Sequence, residues 1–152
     1  MQLFHYTSES EKETKRFGAA FARAIQALSS KGALVVGLSG DLGSGKTTCM
    51  KGVALGFGIR VGIQSPTFVL LKSYTIKKSR KHTQLHHIDA YRLRSAKDIT
   101  SLGWGNIFSD PKNIIFIEWP ERIVSFLPKQ RFEIRFRHKK GTMRGISVSL
   151  VS

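Results

Sequence analysis

Gly40-Asp41-Leu42-Gly43-Ser44-Gly45-Lys46-Thr47-Thr48, or GDLGSGKTT, decides how the rest of this chain is read. Its first eight residues satisfy G-x-x-x-x-G-K-[ST] at every fixed position. The spacing has a mechanical reason. Gly43, Ser44 and Gly45 form a turn whose backbone N–H groups point inward at anionic oxygens, and a helix beginning near Lys46 adds its positive dipole end. The pattern assigns Lys46 to the β and γ phosphates of a nucleotide, the Thr47 hydroxyl to Mg²⁺, and Thr48 to the α phosphate.

The flanks agree with that reading. Ala33 to Leu38 is a continuous apolar run, short enough for a strand buried on both faces, as in parallel sheets covered by helices. A helix is predicted from Lys46 to about Leu55, with Gly52 weakening it by about 1 kcal/mol relative to alanine, so that packing must hold it. Upstream, Ser8-Glu9-Ser10-Glu11 fits a capping box, and Phe17, Phe21, Ala24, Ile25 and Leu28 recur at helical spacing up to Gly32. Downstream, Phe68 to Ile76 and Leu85 to Ile88 read as a hairpin around the basic turn Lys77 to Lys81. A helical patch from Ser95 to Leu102 precedes a second buried strand, Ile114 to Ile117, and Pro120 opens a short helix. At the end, Phe132, Ile134 and Phe136, then Ile146, Val148 and Leu150, alternate with polar residues, the mark of a half-buried antiparallel hairpin. These elements predict an α/β fold, a P-loop NTPase-like mixed sheet flanked by helices with an antiparallel C-terminal hairpin, in a single domain over residues 1–152.

Phosphoryl transfer needs Mg²⁺ held from a second side and a group that orients the attacking oxygen. Glu118 ends the strand Ile114 to Ile117 and is the expected second metal-side ligand. Trp119 follows where many related ATPases carry a second acid. The catalytic carboxylate is therefore sought at Asp89, which ends His86-His87-Ile88-Asp89, with a purely structural turn-capping Asp as the rival role. Thr67, after Pro66, is expected in a switch-like loop. His86 and His87 are adjacent on a strand and face opposite ways, so they read as surface or core histidines, as does His82. Trp104, Phe108 and Phe126 read as core.

Lys and Arg number 25 against 10 Asp and Glu, a formal charge of +15. Much of the excess falls between Lys72 and Lys97 and between Lys129 and Arg144. Such a surface attracts polyanions, nucleic acid first, or an acidic protein; a merely solvated basic face carries equal weight. Cys49 is the only cysteine, which excludes an internal disulfide and a thiolate metal cage. No apolar run reaches the ~18 residues of a membrane span, and the polar start is not an export signal, so a cytoplasmic protein is expected.

GDLGSGKTT, SPTF (65–68), HHIDAYRL (86–93), LGWGNIF (102–108) and IIFIEWPERI (114–123) together resemble the bacterial tRNA threonylcarbamoyladenosine biosynthesis ATPases, the TsaE family, over about Thr7 to Leu127. The resemblance implies Lys46 on the phosphates, Thr47 and Glu118 on Mg²⁺, and Asp89 as the catalytic carboxylate. It further implies Trp119 near the site, Thr67 in a mobile loop and the Thr7 region against the adenine. It implies an ATPase that works with two partner proteins making threonylcarbamoyladenosine at position 37 of tRNA, hydrolysis resetting the partner complex. The chain departs from the family pattern at Asp98 to Gly103, where a more acidic stretch is usual, and in its positive charge. A small-molecule kinase is the alternative, though no segment reads as a lid. A GTPase lacks support because N-K-x-D is absent. A nucleic-acid-stimulated ATPase draws on the basic charge, yet a motor usually needs a second domain or a ring of subunits.

Overall fold

The structure is a computed structural model that describes residues 1–60, 62 and 70–152. Its strands are β1 (Gln2–Ser8), β2 (Leu34–Ser39), β3 (Leu71–Thr75), β4 (Gln84–Asp89), β5 (Asn113–Glu118), β6 (Arg131–His138) and β7 (Arg144–Val151). Its α-helices are α1 (Glu11–Gln26), α2 (Lys46–Gly56), α3 (Ala96–Ser101) and α4 (Trp104–Ser109). The strands form one sheet in the order β1-β7-β6-β2-β5-β4-β3. The middle four, β6, β2, β5 and β4, run parallel, while β7 is antiparallel to both β6 and β1, and β3 to β4. This is the mixed sheet flanked by helices that the sequence predicts.

β2 and β5 lie at the centre because their residues are apolar on both sides. Val36, Leu38, Ile114 and Phe116 enter one core with Phe21, Met50 and Val53 of α1 and α2. Val35, Ile115 and Ile117 enter a second with Leu93, Ile99, Ile123 and Leu127 on the opposite face. Two buried faces explain the uninterrupted apolar runs.

α1 starts two residues later than the capping box at Ser8 predicts. Ser10 is the N-cap, its Oγ accepting from Glu13 N at 3.1 Å, and Glu13 Oε2 accepts from Glu9 N at 2.7 Å. The cap is therefore Ser10, with Glu13 reaching back to the N–H of the residue before it rather than to that of the cap itself. Ser8 is taken up by β1, a strand the sequence reading missed, and its hydroxyl meets Thr14 Oγ1 at 2.7 Å. The helix ends at Gln26, short of Gly32, which leaves Leu28 exposed; Gly18 and Ala22, with Phe17, Phe21 and Ile25, form the buried face.

That face meets α2 at backbone distance. A Cβ on Gly52 would lie 1.9 Å from Lys15 O, and one on Gly18 would lie 2.2 Å from Cys49 O. Gly52 thus lowers helix propensity in order to let two helices touch. Pro120 does open a helical turn, a 3-10 segment Pro120–Phe126. Trp104 and Phe108 stack with ring centres 4.1 Å apart on α4, half-buried, while Phe126 is exposed, so this trio edges the second core rather than filling it. Thr67 and the first residues of the predicted Phe68 strand lie outside the described residues.

Candidate nucleotide site

β2 delivers the chain to the glycine loop at its carboxyl end. Gly40, Gly43 and Gly45 have φ of 145°, 76° and 107°, a region that side chains with a Cβ rarely adopt. At Gly40 space forbids a side chain as well, since a Cβ would lie 2.7 Å from Phe136 O. α2 then begins at Lys46 behind Gly45, which supplies no side-chain cap to the first-turn N–H groups. Gly43, Gly45, Lys46, Thr47 and Thr48 line a cavity of about 230 Å³ together with Thr14, Glu118, Trp119 and Arg144. Ser44, also expected to bind nucleotide, does not line that cavity; its Oγ is buried behind Gly40 without a hydrogen-bond partner among the described residues.

The Lys46 ammonium is buried. It donates to the carbonyls of Gly40 and, at 3.1 Å, Asp41, and lies 4.4 Å from the centre of the Trp119 ring. Burial lowers its pKa, opposed by Glu118, then Glu121, Asp41 and Asp89. The loop therefore holds its cation by weak carbonyl and ring contacts that a phosphate, carrying full charge, can replace.

Glu118 and Asp89 end adjacent parallel strands in direct register, so their side chains leave the same face of the sheet. Glu118 is buried, and its Oε1 lies 3.0 Å from Nε2 of the fully buried His87. Asp89 is also buried; its Oδ1 accepts from Tyr91 N at 3.1 Å and its Oδ2 lies 3.8 Å from Arg92 Nε. Burial raises the Asp89 pKa; the Tyr91 N–H opposes, and the Glu118 charge adds to the rise. Asp89 thus performs the turn-capping role set against catalysis in the sequence, and it does so with Oδ1.

Trp119 alone among the described non-glycine residues has positive φ, at 59°. Pro120 behind it disfavours the right-handed helical region, and the Trp119 N–H donates to Leu38 O at 3.2 Å. The left-handed turn aims the indole between Lys46 and Tyr91, whose ring centre is 5.3 Å away. Strain of this kind persists where surroundings over-determine it, as at ligand sites.

The structure brings Gly43, Gly45, Lys46, Thr47, Thr48, Glu118 and Trp119 to one cavity. Thr7 is placed elsewhere, on β1 with its hydroxyl accepting from Lys139 at 3.1 Å, and Asp89 stands beside the cavity at the end of β4. Sequence reasoning did not single out Arg144 for the site. It reaches across from β7 to line the cavity and donates to Gly43 O at 3.1 Å. Nor did it find the contact of His87 with Glu118; the signal was available, since His87 shares strand parity with Asp89.

The Thr47 hydroxyl and the Glu118 carboxylate are hard oxygen donors on one cavity, a set suited to Mg²⁺, which keeps waters and phosphate oxygens in its other positions. Among the described residues no group of three or more His, Cys, Asp or Glu gathers to hold a metal unaided. No described helix is long and apolar enough to cross a membrane.

The profile of the family described as "Threonylcarbamoyl adenosine biosynthesis protein TsaE" matches residues 8–146. The chain is similar to the tRNA threonylcarbamoyladenosine biosynthesis protein TsaE of Treponema pallidum, 37% identical over 142 residues, covering 93% of this chain and 97% of that one. It is 32% identical over 151 residues to the protein of the same name from Bacillus subtilis, covering 99% and 88%. The crystal structure of Bacillus subtilis YdiB superposes with a TM-score of 0.71 at 27% identity, covering 100% of this chain and 88% of that one. With its phosphate loop, its paired strand-end carboxylates and these relatives, the chain belongs to the TsaE family of threonylcarbamoyl adenosine biosynthesis proteins.

Proposed function

We propose that the chain is a Mg²⁺-dependent ATPase subunit, cytoplasmic, that acts with two partner proteins in forming threonylcarbamoyladenosine at position 37 of tRNA. Hydrolysis of ATP resets the partner complex between cycles and does not itself transfer the carbamoyl group. The observation that carries this reading is the placing of Lys46, Thr47 and Glu118 on one cavity beside Asp89. In it, loop amides and Lys46 bind the phosphates, while Thr47 and Glu118 hold Mg²⁺, which when bound neutralises charge on the β and γ phosphates. Asp89 orients the attacking water, and burial, by raising its pKa, makes its carboxylate a stronger base than an ordinary Asp. Trp119 screens the γ-phosphate end from bulk water.

ATPase activity measured alone, with small-molecule acceptors, with tRNA, and with the organism's threonylcarbamoyl-transfer proteins tests it. Stimulation by the last alone supports the proposal. A phosphorylated small acceptor would establish a kinase instead, and stimulation by nucleic acid alone a nucleic-acid ATPase.

A further inference from the structure

The sheet separates the two basic segments that the sequence presents in succession. The Lys72 to Lys97 segment begins on β3, at one edge, and the Lys129 to Arg144 segment runs through β6 toward β7, near the other. In the β1–β7–β6 arm the side chains alternate between faces. Phe136, Ile146 and Val148 turn to the core with Ile134. The alternate set occupies the opposite face, where Arg135 pairs with Ser147 and Ser147 with His5, and Arg137 pairs with Gly145 and Gly145 with Thr7. Gly145 sits at the centre of this patch. A Cβ there would come within 3.1 Å of Lys139 Cε, 3.5 Å of His5 Cε1 and 3.8 Å of Arg137 Cβ, so three basic side chains close over one bare backbone position.

The face is already ordered internally. His5 Nδ1 and Ser147 Oγ lie 3.0 Å apart, and Lys139 Nζ donates to Thr7 Oγ1. Arg135 and Arg137 are exposed, and among the described residues no carboxylate pairs with either. The one acid of that row, Glu133, is held by Arg131 at 2.7 Å.

We propose that this open face of the β1–β7–β6 arm binds RNA through its phosphate backbone. Arg135 and Arg137, two residues apart on one strand, stand about 6.5 Å from each other, close to the interval between neighbouring phosphates of a polynucleotide. Guanidinium forks, hydroxyls and imidazole are the groups that phosphate contacts use. An acidic protein fits less well, because protein interfaces bury an apolar centre and the middle of this face is polar. Arg135, Arg137 and His138 also share a cleft of about 690 Å³ with Gly40 and Asp41, so an RNA lying on the face reaches the back of the phosphate loop. Asp41, Glu121 and the Arg131-paired Glu133 also line that cleft and bound the basic field. Taking the RNA to be tRNA rests on the proposed function; binding to the face does not.

The test is binding of a tRNA transcript by the full chain without nucleotide, followed by fluorescence anisotropy across a salt series. The wild type binds, and Arg135→Thr/Arg137→Thr weakens binding about tenfold while reducing the slope of log affinity against log salt by about 1.5. Lys77→Ser/Lys78→Ser, which removes the same charge near the β3 edge, leaves binding within twofold. Unchanged basal ATPase and thermal midpoint in both variants show that neither fold nor nucleotide site moved, so a failed ATPase proposal and a failed RNA proposal are told apart. Equal loss in the two variants would reduce the effect to diffuse charge and overturn the proposal. So would absence of RNA binding at low salt, or a face that takes polyglutamate and not RNA.

Discussion

Gly52→Ala sets two familiar effects against each other, and the geometry decides between them. In an exposed helix the change gains about 1 kcal/mol of propensity. Here the new Cβ would lie 1.9 Å from Lys15 O, against 3.4 Å for the near end of ordinary contact, so α1 and α2 must part by about 3.4 − 1.9 = 1.5 Å. The obstructing atom is backbone and cannot swing aside. Gly18 against Cys49 O and Gly56 against Ala19 O bind the same interface, so the strain is not relieved by tilting. Overpacking of this kind costs about 3 kcal/mol, which leaves a net loss of about 2 kcal/mol after propensity. For a chain of this length that lowers the thermal midpoint by roughly 4–8 °C. The consequence reaches the site, because α2 begins with Lys46 and Thr47: misplacing such groups by about 1 Å can cost as much as 10²-fold in rate. Urea or thermal unfolding of Gly52→Ala, beside Gly105→Ala, reads the first effect. Gly105 lies in α4 with nothing within 4 Å of its Cβ position, so alanine there raises stability by about 0.5–1 kcal/mol. If Gly52→Ala is stabilised as Gly105→Ala is, the two helices are not in backbone contact and the reasoning fails.

Lys46→Ala removes nucleotide binding measured by calorimetry while far-UV circular dichroism stays native, since the Lys46 ammonium contacts loop carbonyls and one ring rather than the core. Asp89→Asn binds ATP and hydrolyses it poorly in single-turnover assays, and near-normal turnover would remove Asp89 from the mechanism. The same variant has a pH signature in unfolding. The Asp89 pKa is raised in the fold, so the folded state holds the proton more tightly and wild-type stability from this group falls as pH rises from the ordinary carboxylate value through the raised one. Asp89→Asn is therefore at least as stable as wild type at neutral pH, and its relative advantage shrinks as pH falls through that window. Arg144→Ala weakens ATP binding several-fold, read by calorimetry, because it withdraws a cation from the cavity and a donor from Gly43 O.

The centre of the fold was legible because each signal there was local. Ala33 to Leu38 and Ile114 to Ile117 are apolar on both faces, and the only common setting for such strands is a sheet covered on two sides. The glycine loop was legible for the same reason, since its φ values of 76° and 107° at Gly43 and Gly45 are a property of residue type. β1 was not legible. Gln2 to Ser8 carries no clean alternation of burial, being exposed over its first five residues, and its partner β7 lies at the other end of the chain. Only tertiary pairing makes it a strand, and that pairing moved the cap of α1 from Ser8 to Ser10.

Arg144 shows why the site was only partly readable. In sequence it is one of seven basic residues in a run, and nothing about its neighbours sets it apart. Its role depends on parity. In β7 it shares a face with Ile146 and Val148, which point at α1, whereas Arg135 and Arg137 of β6 share the face of Ser147. One residue of register would exchange those assignments, sending Arg144 to the open face and an arginine of β6 into the core. The apolar residues Ile134 and Phe136 of β6 and Ile146 and Val148 of β7 forbid that exchange, so the burial of these hydrophobic side chains is what sorts the cations into one that meets the nucleotide cavity and two that meet solvent. A single net charge of +15 therefore contains two populations with different chemistry, and the hydrophobic pattern, not the charge pattern, separates them.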